Sequence, residues 1–140
     1  MDHVVYVDAK AKELSSILMN KKTMIIRGAA GRKMPYGRVF IDDVLYLIEN
    51  DGSGLVKAKV NVLSVYNSEK MTKGESVFLV EKHQKQLQLT KTRFSKWAGK
   101  RFLVLIGIGK PEELSPFHVD KSKYGNMDDW LPVGNIEEVK

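Results

Sequence analysis

The chain has 140 residues, 43% hydrophobic and 29% charged, a balance that suits one folded domain with its own core and excludes a disordered chain. It holds no cysteine, which excludes disulfides, thiolate metal sites and cysteine nucleophiles. Its net charge of +6 is segregated: six basic residues and no acid lie between Glu13 and Asp42, and eight more lie acid-free between Glu81 and Glu112.

In chain order, Val4–Val7 is a short β-like run. Asp8 can cap a following helix, in which Ala11, Leu14, Ile17 and Leu18 recur at helical spacing and Asn20 supplies a stop. Thr23–Arg27 returns to strand-like residues before a glycine-broken basic segment. Val39–Ile48 is apolar enough for a buried strand, and Asn50-Asp51-Gly52 forms a turn. Val56, Ala58, Val60 and Val62 alternate with polar residues as a half-buried strand does.

Thr72 with Glu75 makes a capping-box pattern that opens a helix towards Gln88. Thr90 caps a second, shorter helix that ends near Trp97, with Gly99 behind it. Arg101–Gly109 is a near-continuous apolar run, a buried strand that Pro111 ends. The tail from Pro116 is acidic at several points and carries no strong secondary-structure pattern. The expected fold is α+β: one domain over 1–140, a small curled β-barrel of five or six strands with flanking helices, and a 110–140 extension packed on it.

No apolar run approaches the ~18–20 residues that span a bilayer, so no membrane partner is expected. The opening MDHVVYVDAK has neither a basic n-region nor a long apolar h-region. With no cysteine to oxidise, the expected location is cytoplasmic.

Chemistry-bearing patterns concentrate in residues 20–38, NKKTMIIRGAAGRKMPYGR, which contain six basic residues and no acid. A Walker loop is excluded, because Met34 and Pro35 follow Lys33 where a hydroxyl residue and a helix are required. Gly28-Ala29-Ala30-Gly31 has the letters of a KH-type clamp but follows a strand and precedes a helix breaker. What remains is a basic loop in which Arg27, Arg32, Lys33 and Arg38 can hold phosphate and Tyr36 can stack on a base. The alternative is a hairpin whose glycines satisfy turn geometry and whose arginines pair with the acidic tail.

The three histidines share no metal-ligand spacing, and His118, Asp120, Asp128 and Asp129 match no recognised cation site. No metal or cofactor is expected. Trp130 either plugs the core and anchors the tail or walls a ligand cleft.

The segment Ala11–Arg27 resembles the entry to an ASCH domain of the PUA-like superfamily, a helix followed by Gly-x-Lys-Thr-x-Glu-x-Arg running into a strand. Lys22, Thr23 and Arg27 match that pattern, while Asn20 stands for the glycine and Ile25 for the glutamate. Tyr36-Gly37-Arg38-Val39 leading to Asp42-Asp43-Val44-Leu45 resembles the next strand entry, and the likeness covers roughly residues 3–109. It implies a PUA-like barrel with a cleft beside the first helix and the basic loop. Members of that family are RNA-binding or nucleotide-processing modules; with the acid-free basic loop this gives the expectation of an RNA- or nucleotide-binding module, non-catalytic, with Lys22, Thr23, Arg27, Arg32, Lys33, Tyr36 and Arg38 at the ligand.

The alternative is a small amidohydrolase-like enzyme acting on a modified nucleoside through Lys22. Relatives of that type use a lysine, a threonine and a glutamate, but their threonine position falls on Ile25 and no glutamate stands near Gln86-Leu87. A third possibility is a protein partner engaged through Tyr124–Val133.

Overall fold

The computed structural model describes residues 1–122 and 129–140. Seven strands form one curled sheet: β1 (Asp2–Val7), β2 (Met24–Ala29), β3 (Val44–Glu49), β4 (Leu55–Asn67), β5 (Phe102–Ile108), β6 (Glu112–His118) and β7 (Trp130–Gly134). They run in the order β2-β5-β4-β3-β1-β7, with β6 also paired to β4. The path ends at β2 and β7, so the sheet curls as a half-barrel without closing. Among the described strands only β1 and β3 pair in parallel.

The long strand β4 produces the curl. Its first half pairs with β3 and β6 and its second half with β5, and a register shift between Val62 and Ser64 marks the change of neighbour. Three apolar layers follow. The concave face of the sheet holds Val5, Ile25, Leu47, Val60, Val104 and Ile106 with Ile17 of α1 (Glu13–Leu18) and Trp130. Alternate residues of β2 and β5, Ile26, Leu103 and Leu105, face outwards onto α2 (Lys73–Lys82), α3 (Gln84–Leu87) and α4 (Lys91–Trp97). Alternate residues of β1 and β3, Val4, Tyr46 and Ile48, face a layer built from the tail, including Leu131, Val133 and Ile136. Strands covered on both faces read as continuous apolar runs, which is why β5 stands out in the sequence.

Several local signals hold. Thr72 and Glu75 form the capping box of α2, Thr90 accepts from Arg93 N at the start of α4, and Asn20 takes the left-handed conformation at φ 59° just past α1. Three expectations need correction. The strand expected from Val39 begins at Val44, because Asp42 adopts φ 76° and the buried Asp43 carboxylate accepts from Phe40 N, folding 39–43 into a turn. Asp8 does not cap α1; its carboxylate accepts from Lys10 N, and the helix starts only at Glu13. The tail contributes strands β6 and β7, which raises the count to seven. No helix among the described residues is long and apolar enough to cross a membrane.

Candidate functional site

The site forms where α4 lies against the edge strand β2. Helical spacing puts Arg93 and Trp97, four residues apart, on one face of α4. Trp97 drops its ring onto the layer outside β2 and β5 and is almost fully buried. Three cations surround it: Arg27 Cζ lies 5.9 Å from the ring centroid, Arg93 Cζ 5.4 Å and Lys96 Nζ 4.8 Å.

Arg27, only 4% exposed, is the centre of the arrangement. Its Nη1 donates to Ile26 O and its Nη2 to Tyr6 O, at 2.8 and 2.6 Å. The guanidinium also lies 5.5 Å from the Trp130 ring. Its Nε is 3.2 Å from Asp129 Oδ2 but lacks hydrogen-bond geometry, so the ion pair is electrostatic and the N–H has no acceptor among the described residues. The Trp97 Nε1 is likewise buried with no acceptor among them. Arg27, Lys33, Met34, Trp97, Asp129 and Trp130 line a cleft of about 160 Å³, with Gly28 and Ala29 on its floor side.

Lys22 sits at the foot of the same cluster. Its Nζ donates to Leu87 O at 2.5 Å and lies 3.5 Å from Glu13 Oε2. Burial pushes the ammonium below the ordinary lysine value; Glu13 opposes this, while Arg27 and Arg93 reinforce it. A second cleft of about 90 Å³ opens beside it, lined by Glu13, Ser16, Thr90 and Arg93 among others. Lys96 is lowered too, chiefly by partial burial and then by the Arg93 charge. Glu13, Asp8 (3.5 Å from Arg93) and Asp129 supply the countercharge, so among the described residues five cations, counting Lys33, face three carboxylates.

The expected site residues therefore divide. Lys22, Arg27 and Lys33 border the clefts around Trp97. Thr23 is exposed and its amide donates to Gln86 O. Arg32 lies away from Trp97, 5.7 Å from the Tyr36 centroid and 5.5 Å from that of Phe102. The Tyr36 ring is half-buried edge-on against Phe102, and its hydroxyl donates to Ser68 O. Arg38 points to solvent.

Glu13, Arg93, Lys96 and Trp97 were not singled out from sequence; Asp129 was weighed only as a cation ligand, and its ion pair with Arg27 fits the alternative in which an arginine of the basic segment meets the acidic tail. The i, i+4 pair on a capped helix was a usable signal for Arg93 and Trp97; nothing local announces Glu13. Among the described residues no acidic or histidine cluster could hold a metal. Asp128 and the start of the Tyr124–Val133 segment lie outside them. Trp130 is 1% exposed in the concave core, the first of its two alternative placements, and its residue also lines this cleft.

No family model and no curated protein matches the chain. The fold is shared with solved structures of the ASCH protein from Zymomonas mobilis. One point variant of that protein superposes with a TM-score of 0.73 at 10% identity, covering 98% of this chain and 93% of that one. The unsubstituted protein gives 0.66 at 12% identity over 91% and 82%. A second variant gives 0.72 at 11% over 98% and 91%. At that identity the likeness shows the fold alone, an α+β curled sheet of the kind seen in those ASCH structures.

Proposed function

We propose that this protein is an RNA- or nucleotide-binding module whose ligand lies in the groove around Trp97. The observation that carries the reading is the convergence of Arg27, Arg93 and Lys96 on one indole, with Lys33 on the adjoining wall. Cations brought together in a partly dry groove attract phosphate, and an uneven charge balance speeds the encounter. The ASCH-type fold is compatible with such a partner. The test is binding of a mixed RNA pool across a salt series, for the wild type and for Lys33→Ala/Lys96→Ala. Each lost phosphate contact lowers the slope of log affinity against log salt by about 1. Unchanged or salt-insensitive binding defeats the reading.

One observation favours a second reading, an enzyme acting on an acylated or otherwise modified nucleoside. Lys22 has the depressed basicity of a reactive amine, an adjacent carboxylate in Glu13, and a cleft beside it. Ile25 is fully buried in the core and offers no hydroxyl, so the chemistry would rest on Lys22 and Glu13. Turnover of acylated nucleosides by the wild type, lost in Lys22→Ala, is the expected result; no turnover in either rules this reading out.

A further inference from the structure

We infer that the cleft between Arg27, Lys33 and Trp97 is a phosphomonoester subsite that the chain's own Asp129 carboxylate occupies in the absence of ligand. This rests on the nucleotide-binding reading above and specifies which group of the ligand enters, and where.

Two buried donors at this cleft are left over by the fold. Arg27 donates from each terminal nitrogen, to the Ile26 and Tyr6 carbonyls, which fixes the guanidinium; Nε is its one nitrogen with no acceptor among the described residues. Trp97, 5% exposed, brings a second N–H that can only donate and has nothing to donate to among the described residues. Donors buried without acceptors are costly, so an acceptor-rich anion placed there recovers energy that the empty cleft forfeits. Lys33, exposed to solvent, adds a positive charge to the lining.

Asp129 behaves as a displaceable stand-in for that anion. Its side chain is 54% exposed and meets Arg27 Nε at 3.2 Å without hydrogen-bond alignment. An ion pair of that exposure contributes little. Its backbone is held independently, because Tyr6 N donates to Asp129 O at 2.9 Å. Rotation of the side chain alone therefore clears the cleft without unpicking β7. The volume, about 160 Å³, equals roughly five waters at the ~30 Å³ each takes in the liquid. That admits a phosphate-sized group and leaves the rest of a nucleotide outside, along α4. Once Asp129 turns away, the described residues lining the cleft carry the cations Arg27 and Lys33 and no other acid, which favours the doubly charged monoester over a singly charged diester.

Both tryptophans of the chain line this cleft, so intrinsic fluorescence reads its occupancy directly. Wild type, Asp129→Asn, and Asp129→Asn/Lys33→Ala are titrated with inorganic phosphate, dimethyl phosphate, adenosine monophosphate, and an RNA oligonucleotide with and without a 5′-phosphate. Expected is phosphate binding that tightens roughly tenfold in Asp129→Asn and falls back when Lys33 is removed. Dimethyl phosphate should bind at least tenfold more weakly than phosphate. The last two ligands separate the sources: a free nucleotide, or a terminal phosphate on RNA. Equal phosphate affinity in wild type and Asp129→Asn, or no preference for the dianion, overturns the inference. If RNA from the mixed pool still binds salt-dependently in that event, the wider reading survives without this subsite. If phosphate binds as expected but RNA does not, the subsite stands and the partner is a free nucleotide.

Discussion

Trp130 Nε1 donates to His3 Nδ1 at 3.1 Å, across a sequence separation of 127 residues. An indole N–H can only donate, so this nitrogen of His3 must be the acceptor and the proton sits on Nε2, which donates to Asp43 Oδ2 at 2.8 Å. The three side chains form a closed line from β7 through β1 to the turn before β3, and His3 is fully buried within it.

Removing the middle of that line strands both neighbours. His3→Ala leaves the Trp130 N–H and an inner lone pair of Asp43 without partners and opens a hole under the indole. A loss of about 3 kcal/mol is expected from the orphaned groups and the cavity together. Urea unfolding followed by tryptophan fluorescence measures it; a loss under 1 kcal/mol shows that the network contributes nothing special.

Asp43 should give the protein an acid-sensitive limb. Burial alone would raise its carboxyl, but hydrogen bonds from His3 and Phe40 N outweigh it and hold the group below its ordinary 3.8. A carboxyl depressed on folding binds fewer protons in the native state, so its stabilisation is present above pH 3.8 and disappears as the pH falls through the lower, folded value. Asp43→Asn, less stable at pH 7, should lose less on acidification than the wild type between pH 5 and pH 3. Melting temperatures across that range decide it, parallel curves counting against the assignment.

For Lys22 the cause differs, since burial disfavours its charged form, but the sign is the same and the window lies at higher pH. Its lowered value means the unfolded chain holds the proton more tightly over the interval from the depressed value up to 10.5, so stability contributed at this site rises with pH across that interval. Relative to Lys22→Met/Glu13→Gln, the wild type should gain stability on going from pH 7.5 to pH 10. The single change Lys22→Met is expected to be worse than the double by about 2 kcal/mol or more, because it leaves the buried Glu13 without its cation. Chemical denaturation at the two pH values checks both statements.

The two glycines of the GAAG sequence should respond oppositely. A Cβ on Gly28 would come within 2.6 Å of Leu103 Cδ2 and 3.1 Å of Phe102 O, whereas one on Gly31 meets nothing within 4 Å. Gly28→Ala should cost about 1–3 kcal/mol through forced displacement of β5, and Gly31→Ala should stay within about 0.5 kcal/mol of wild type. Thermal melts of the two variants suffice, and equal melts would remove the packing explanation for Gly28.

What the sequence disclosed and what it concealed follow from distance along the chain. The caps at Thr72 and Thr90, the stop at Asn20 and the apolar run of β5 depend on neighbours within a few residues, and the structure contains each of them. The curled α+β fold was also legible, since the periods alternate between strand and helix. Strands β6 and β7 were not, because each is a sheet margin carrying a proline, Pro116 or Pro132, and β6 is mostly exposed. The site was half legible. Lys22, Arg27 and Lys33 stand in one basic segment, but the partners that define their chemistry are remote: Glu13 from the first helix, Trp97 from the fourth, Asp129 from the tail. Arg32 and Tyr36, adjacent in sequence to the same cations, turn instead towards Phe102.

The placement of β1 between β3 and β7 has a consequence for biosynthesis. A ribosome delivers β1 first, yet one of its lateral neighbours emerges only after most of the chain has been translated. Trp130, the largest of the fully buried side chains, arrives with that late neighbour. One edge of that apolar strand must therefore stay unpaired for most of the nascent polypeptide's synthesis, a period in which chaperone capture competes with premature association.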